Sequence, residues 1–280
     1  MIRERRIPSD KSAELARVLE TLIDFDRAST VVEVGCGRGR LARLMARLIQ
    51  GHGHVHALDT SKEVLGLAAR KARAAGVSNV TFEVGDACRL RLPENSADVV
   101  VCSSLLCSLT EVDAAVREMV RVTRSGGVIV IAEPAGEQRC YDPDSRRFTY
   151  LSNKLNSAFT RGWKRRGADQ HVGLRVPEIL MRHGIRQIAA EVVCQVFLMN
   201  DPRRTPEDIE AQLEAESSPL PESTMGLLGQ GGMTRGEVRE HHAIARRRLA
   251  NFTASRDALA GSGYLRVMSP LIVFVGRVSE

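Results

Sequence analysis

Val31-Val32-Glu33-Val34-Gly35-Cys36-Gly37-Arg38-Gly39 runs straight into Arg40-Leu41-Ala42-Arg43-Leu44-Met45-Ala46-Arg47-Leu48-Ile49. The β-branched residues predict a strand, the glycines at alternate positions a tight turn, and the apolar spacing that follows a helix. Together they make the opening βα unit of a doubly wound nucleotide-binding fold. Glycine has no Cβ, so such a turn can close tightly and its backbone can approach a ligand.

Strand and helix candidates alternate on both sides of this unit. Residues 11–24 read as an amphipathic helix with Leu15, Val18, Leu19, Leu22 and Ile23 on one face. Residues 54–59 form a second strand, and Ser61 caps a helix that Gly76 ends. Strands follow at 80–84 and 98–102, then a helix at 111–123, a break at Gly126-Gly127 and a fifth strand at 128–132. Strands separated by helices argue for a parallel α/β sheet. After Pro134 the pattern changes. Residues 135–175 read as polar and irregular, 176–183 as a helix, and 185–199 as one long strand. Two helices are expected at 203–216 and 234–260. Between them 217–234, with its glycines and prolines, reads as a mobile linker. A last strand is expected at 271–278.

Composition sets bounds. The chain has 280 residues, 43% of them hydrophobic and 26% charged, which is ordinary for a globular protein. No apolar run is long enough to span a bilayer, and the charged first residues do not read as a signal peptide, so a cytoplasmic location is expected. The six cysteines include no Cys-x-x-Cys pair and read as reduced thiols. The net charge is +6, with basic clusters at 161–166 and 246–248. The second reads as a solvated helix face. The first could attract an anion, but it lacks the interleaved aromatics of a single-strand binding surface. Nucleic acid is therefore not the expected partner.

The glycine spacing narrows the ligand. A dinucleotide turn is G-x-G-x-x-G, and its third glycine would fall at position 40, which is Arg40. Here the pattern is Glu33-x-Gly35-x-Gly37-x-Gly39. That motif resembles the first motif of class I S-adenosylmethionine-dependent methyltransferases. Asp59 at the end of the second strand, Gly85-Asp86-Ala87 after the third, and Arg117-Glu118, Arg121-Val122, Gly126-Gly127 and Glu133-Pro134 are similar to the small-molecule branch that includes quinone C-methyltransferases. The likeness covers residues 30–134 well and 176–185 weakly, through Pro177, Leu180 and Gly184. Residues 200–268 match no pattern.

The resemblance implies a mostly parallel, seven-stranded Rossmann-like sheet with an antiparallel last strand and helical insertions forming a lid. It implies S-adenosylmethionine as methyl donor and S-adenosylhomocysteine as product. Asp59, with Thr60 beside it, is placed at the ribose, and Asp86 with Ala87 at the adenine amino group. Gly35, Gly37 and Gly39 are placed along the methionine part, with Glu33 near its cationic groups but acting indirectly, through water or the loop backbone, and Ser103 at the end of the fourth strand. A carboxylate can accept from both hydroxyls of a ribose, and another from an exocyclic amine. Each acid also has a plain structural reading: Asp59 as a helix cap, in competition with Thr60 and Ser61, and Asp86 as a turn residue.

The expected organisation is a helical segment at 1–29, a cofactor-binding core at 30–134, an insertion at 135–175, core again at 176–199, a helical insertion at 200–268 and a final core strand at 269–280. The glycines at 226, 229, 231 and 232 are expected to hinge a lid, and a homodimer through the insertions is the competing role for them. Methyltransferases of nucleobase or glutamine amino groups carry Asn/Asp-Pro-Pro-aromatic after the fourth strand. This chain has Cys102-Ser103-Ser104-Leu105-Leu106-Cys107 there. Oxygen, carbon, sulfur and alkylamine acceptors stay open. Candidate bases are His171 and Tyr141. His241 and His242 are adjacent on the long helix, so only one of them is expected to face a pocket. Asp142 and Asp144 lack further carboxylates at metal-binding spacing, so no metal is expected. The competing functions are methylation of RNA or protein, a non-catalytic module that binds the same cofactor, and a nicotinamide oxidoreductase, which Arg40 disfavours.

Overall fold

The computed structural model describes residues 11–255 and 262–279. In chain order these form α1 (Lys11–Leu22), β1 (Thr30–Val34), α2 (Arg40–Leu48), β2 (His54–Asp59), α3 (Lys62–Ala74), β3 (Val80–Val84), β4 (Ala97–Ser103), α4 (Val112–Val122) and β5 (Thr123–Pro134). Then come β6 (Arg139–Tyr141), α5 (Arg146–Arg165), α6 (Val176–Arg182), β7 (Ile188–Val193), β8 (Val196–Leu198), α7 (Pro206–Ser217), α8 (Glu222–Gln230), α9 (Arg235–Ala254), β9 (Leu265–Val267) and β10 (Leu271–Arg277). Contacts divide the chain into two compact units. The larger takes in described residues 11–135, 169–193 and 271–279. The smaller takes in 136–168, 194–255 and 262–270.

The larger unit is built on a seven-stranded sheet in the order β3-β2-β1-β4-β5-β10-β7. β1 runs parallel to β2 and β4, β2 to β3, and β4 to β5, whereas β10 is antiparallel to both β5 and β7. The central strands are covered on both faces, which is why they read as unbroken apolar runs. Val31, Val99, Val101 and Val130 join Leu19, Met45 and Leu65 of α1–α3 in one core. Their neighbours Val32, Val100, Ile129 and Ile131 join Met119 of α4 and Ile179 of α6 in the other. Asp98 pins the strands at one end, where its Oδ2 accepts the Ser29 and Thr30 N–H groups and its Oδ1 takes Arg124 Nε. The expected break at Gly126-Gly127 is instead an irregularity inside β5, which already pairs at Thr123 and shifts register against β4 before Val128.

The smaller unit holds a three-stranded sheet in the order β6-β9-β8 and the helices α5, α7, α8 and α9. Three expectations fail here. First, 135–175 is not irregular, because it contains the 20-residue helix α5, capped by Ser145 Oγ on the Phe148 N–H. Phe148, Leu151, Leu155, Ala158 and Gly162 recur at three- and four-residue spacing and form its inner face, among many polar residues. Second, 217–234 is not a loose linker, because it contains α8. Gly231, which ends α8, and Gly162 of α5 permit close packing of the two helices. A Cβ on Gly231 would collide with the Ala158 carbonyl, and one on Gly162 with the Leu227 backbone. Third, 185–199 is two strands, not one. β7 pairs with β10 in the seven-stranded sheet, and β8 pairs with β9 in the other sheet. Strand-forming composition continues through 194–195, but composition does not encode a pairing partner.

Candidate functional site

The turn after β1 is held by hydrogen bonds that its own sequence sets up. The Gly35 and Cys36 N–H groups both donate to the Leu58 carbonyl at 2.8 Å, and the Gly39 N–H donates to the Cys36 carbonyl at 2.8 Å. Gly39 has φ +66°, and a Cβ there would lie 2.8 Å from the Ala68 methyl and closer still to the Phe82 ring. Both backbone sign and packing therefore demand glycine at 39. Gly37 has φ +50° with nothing near its missing Cβ, so the backbone is bare toward open space.

Asp59 joins this turn to the next one. Its Oδ2 accepts the Gly37 N–H at 2.9 Å, and its Oδ1 accepts the Ser61 N–H at 3.0 Å. Ser61, not Asp59 or Thr60, caps α3 through the Val64 N–H. Thr60 is exposed. Each Asp59 oxygen keeps lone-pair capacity for a second donor. Asp86 is exposed after β3, where its Oδ1 accepts the Cys88 N–H at 2.9 Å, and the next residue, Ala87, is buried. Thus the ends of β1, β2 and β3, which are neighbours in the sheet, carry the glycine turn, Asp59 and Asp86 side by side.

A cavity of about 440 Å³ opens at this edge, lined by Glu33, Gly35, Cys36, Gly37 and Ser103, with Ser12 and Leu15 of α1 and Leu271 of β10. Glu33 is 3% exposed, and its Oε2 has no hydrogen-bond partner. Burial pushes its pKa up to about 8, with Asp59 adding to the rise and Arg43 opposing it. The Cys36 thiol is also pushed far up by burial, then by Glu33 and Asp59, so it stays protonated and is no nucleophile.

Glu133, with Pro134, is part of the resemblance, which gives it no place in the site. It is fully buried at the end of β5, where its Oε1 accepts the Leu105 and Leu106 N–H groups at 2.8 Å each and its Oε2 the Cys107 N–H at 3.2 Å. The carboxylate thus shapes the turn after β4, and that turn presses Leu105 against Gly35, where a Cβ would lie 2.8 Å from its Cδ1. An acid followed by the strand-ending Pro134 was the available signal.

His171 is partly buried just before the short helical turn Val172–Arg175, and its N–H donates to Asp169 Oδ1. The adjacent Gln170 donates from Nε2 to the Cys107 carbonyl at 2.8 Å, so this segment lies at the turn after β4. Tyr141 is 59% exposed at the end of β6 in the smaller unit. Asp142 is buried beside Arg248, 3.4 Å away, as an ion pair.

Residues 32–131 match a family model described as a methyltransferase domain. Over 111 residues the chain is 31% identical to a demethylmenaquinone methyltransferase of Geobacillus kaustophilus, covering 40% of this chain and 47% of that one. Over 131 residues it is 33% identical to a ubiquinone/menaquinone biosynthesis C-methyltransferase of Pseudomonas putida, covering 45% and 51%. The chain therefore spans about half the length of the curated relatives it matches. The fold is similar to that of Haemonchus contortus phosphoethanolamine N-methyltransferase 2, solved with phosphomonomethylethanolamine and S-adenosylhomocysteine. The TM-score there is 0.51 at 17% identity, covering 96% of this chain and 53% of that one. Motif, sheet order and family model agree on a methyltransferase domain at residues 32–131. Among the described residues no helix is long and apolar enough to cross a membrane.

Proposed function

We propose, from the methyltransferase domain at residues 32–131, that this chain transfers the methyl group of S-adenosylmethionine to a small-molecule acceptor. The observation that carries the reading is the bare Gly37 backbone held by Asp59 at the mouth of the cavity that Glu33 lines. Asp59, with Thr60 beside it, takes the ribose hydroxyls, while Asp86 and Ala87 take the adenine edge. Gly35, Gly37, Gly39 and Ser103 border the methionine part. Glu33 supplies negative charge toward the donor's cationic groups once a cation draws off its proton.

Methyl transfer from a sulfonium is an in-line displacement. The acceptor's lone pair forms the new bond to the methyl carbon as the carbon–sulfur bond breaks, and the electron pair leaves with sulfur. The protein's part is alignment and exclusion of water, and orientation alone is worth about 7–11 kcal/mol in favourable cases. A base is needed only for an acceptor that arrives protonated. His171, at the turn after β4, is the better placed candidate, and Tyr141 is the second. Oxygen, carbon, sulfur and alkylamine acceptors all fit the Cys102–Cys107 sequence, which lacks the Pro-Pro motif of amino-group methylation on nucleobases and glutamine. We also propose that the chain works in the cytoplasm.

The test is to incubate the chain with donor carrying an isotope-labelled methyl group and a metabolite extract, and to follow the label by mass spectrometry. Label in a small molecule supports the reading. Label only in RNA or protein, or none in any fraction despite bound donor, overturns it.

A further inference from the structure

The smaller unit contains a cavity of its own, about 260 Å³, which the methyl-donor reading does not use. Two consecutive residues of α9, His241 and His242, both line it and are 7% and 8% exposed. Successive helical residues point about 100° apart, so only one was expected to face a pocket. The cavity wraps around that arc of the helix, and the two rings meet edge-on at 5.6 Å. His241 stacks on Phe148 at 4.9 Å, and its Nε2 lies 3.0 Å from Ser152 Oγ. Its Nδ1 is buried with no hydrogen-bond partner. The His242 ring makes no hydrogen bond to another described residue. Buried polar groups are nearly always paired, so an imidazole nitrogen left over beside a cavity points to a missing partner.

The chemistry of that partner follows from the walls. Charge here is already compensated. Glu216 accepts from Arg266 Nη1 at 2.9 Å, Arg248 Nη1 at 3.2 Å, Gln212 Nε2 at 2.8 Å and the Tyr264 hydroxyl. Arg248 is sandwiched between the Phe148 and Tyr264 rings at 4.5 and 4.2 Å, and although its Nη2 is unpaired, its charge is balanced by Glu216 and Asp142. Burial, then His242, Arg266 and Arg248, lower the His241 pKa to about 4, and burial and Arg246 lower that of His242. Both imidazoles are therefore uncharged at neutral pH, and an ion entering would find no counter-charge. The remaining wall is apolar at Leu155, Ala215, Leu220 and Met268, and its one further amide, Asn156, is already bonded to Gln138 and the Ser152 carbonyl. A hydroxyl both donates and accepts, so it satisfies either tautomer of a histidine. A cavity of about 150 Å³ accepts benzene, so this one has room for a substituted or fused ring.

We propose that this cavity binds an uncharged aromatic small molecule through a hydroxyl group placed at the His241–His242 pair. The site stands apart from the methyl-donor reading, and neither depends on the other.

The experiment titrates the full chain with three probes of one shape, 2-naphthol, naphthalene and 2-naphthoate, by calorimetry, and follows the histidine imidazole signals by NMR. The expected result is saturable 2-naphthol binding that shifts the two imidazole signals, with naphthalene and 2-naphthoate each at least tenfold weaker. His241→Phe and His242→Phe each weaken 2-naphthol at least tenfold, while heat of S-adenosylmethionine binding, measured separately, is unchanged. Absence of saturable 2-naphthol binding overturns the proposal. So does naphthalene binding equally well, 2-naphthoate binding more tightly, or unchanged affinity in both variants. The comparison of probes on the unaltered chain decides the matter even if a variant fails to fold.

Discussion

Glu33 keeps one carboxylate oxygen unpaired inside the cavity at the end of β1, and burial lifts its pKa to about 8. Before any ligand binds, Glu33 is therefore largely protonated at neutral pH. A cationic ligand favours the charged form, so its binding expels that proton and tightens as pH rises through about 8. S-adenosylmethionine affinity measured from pH 6 to 9 should rise, and Glu33→Gln should flatten the profile. A flat profile in the unaltered chain would remove Glu33 from the site. The stability of the ligand-free chain carries the opposite sign. An acid whose folded pKa is raised contributes stability fully present below its unfolded pKa and lost as pH rises through about 8. Asp59 is both a proposed ligand and the tie to the Gly37 and Ser61 N–H groups. Asp59→Ala should weaken S-adenosylmethionine about 10- to 100-fold, the worth of a charge-assisted hydrogen bond or two. Unchanged affinity by calorimetry would refute the ribose assignment. Glu33 and the glycines stood out because their spacing is that of the turn, and Asp59 because it ends the next strand. Glu133 was legible only as the acid before the strand-ending Pro134, and its role was not, because its partners are backbone N–H groups almost thirty residues away in sequence.

Elements were legible wherever burial on two faces left a continuous apolar run, as in β4 and β5, or a cap and a terminal glycine bracketed a helix, as Ser61 and Gly76 bracket α3. α5 was missed because Arg, Lys and Asn outnumber its apolar residues, although Phe148 to Gly162 recur at helical spacing. α8 was missed because four glycines in 226–232 were read as freedom, although two of them lie within the helix and Gly231, which ends it, serves contact. Gly231→Ala should lower stability by about 2–4 kcal/mol, as overpacking against a backbone carbonyl does, and a denaturant midpoint matching the unaltered chain would contradict the close approach to Ala158. Ser145→Ala should cost about 1 kcal/mol for the lost cap of α5, seen in the same unfolding curve. At the turn after β4, Glu133→Gln turns an acceptor toward an N–H into a donor. Amide exchange at Leu105–Cys107 should quicken, and S-adenosylmethionine should bind more weakly. Protection unchanged at these amides would mean that the carboxylate does not shape the turn.

For the molecule as a whole, sequence reading reached the larger unit and stopped short of the smaller one. The larger unit is a repeated strand–helix pattern whose order the parallel sheet imposes, and its glycine turn lies where such sheets bind ligands. The smaller unit is assembled from 136–168, 194–255 and 262–270, segments that gain meaning only when paired: β6 with β9, α5 with α8, α7 with α9. A chain can switch sheets between Val193 and Val196 with no change of composition, and one cavity can take both His241 and His242 because its walls come from several elements. The methyltransferase family model matches residues 32–131 and the curated relatives named above match 40% and 45% of the chain, so the methyl donor is better supported than the acceptor. The most direct test of the account is a calorimetric titration of the full chain with S-adenosylmethionine. It predicts saturable binding of one molecule per chain, sharply weakened in Asp59→Ala. Heat no different from dilution, across the accessible concentrations and at a pH above 8, would contradict it.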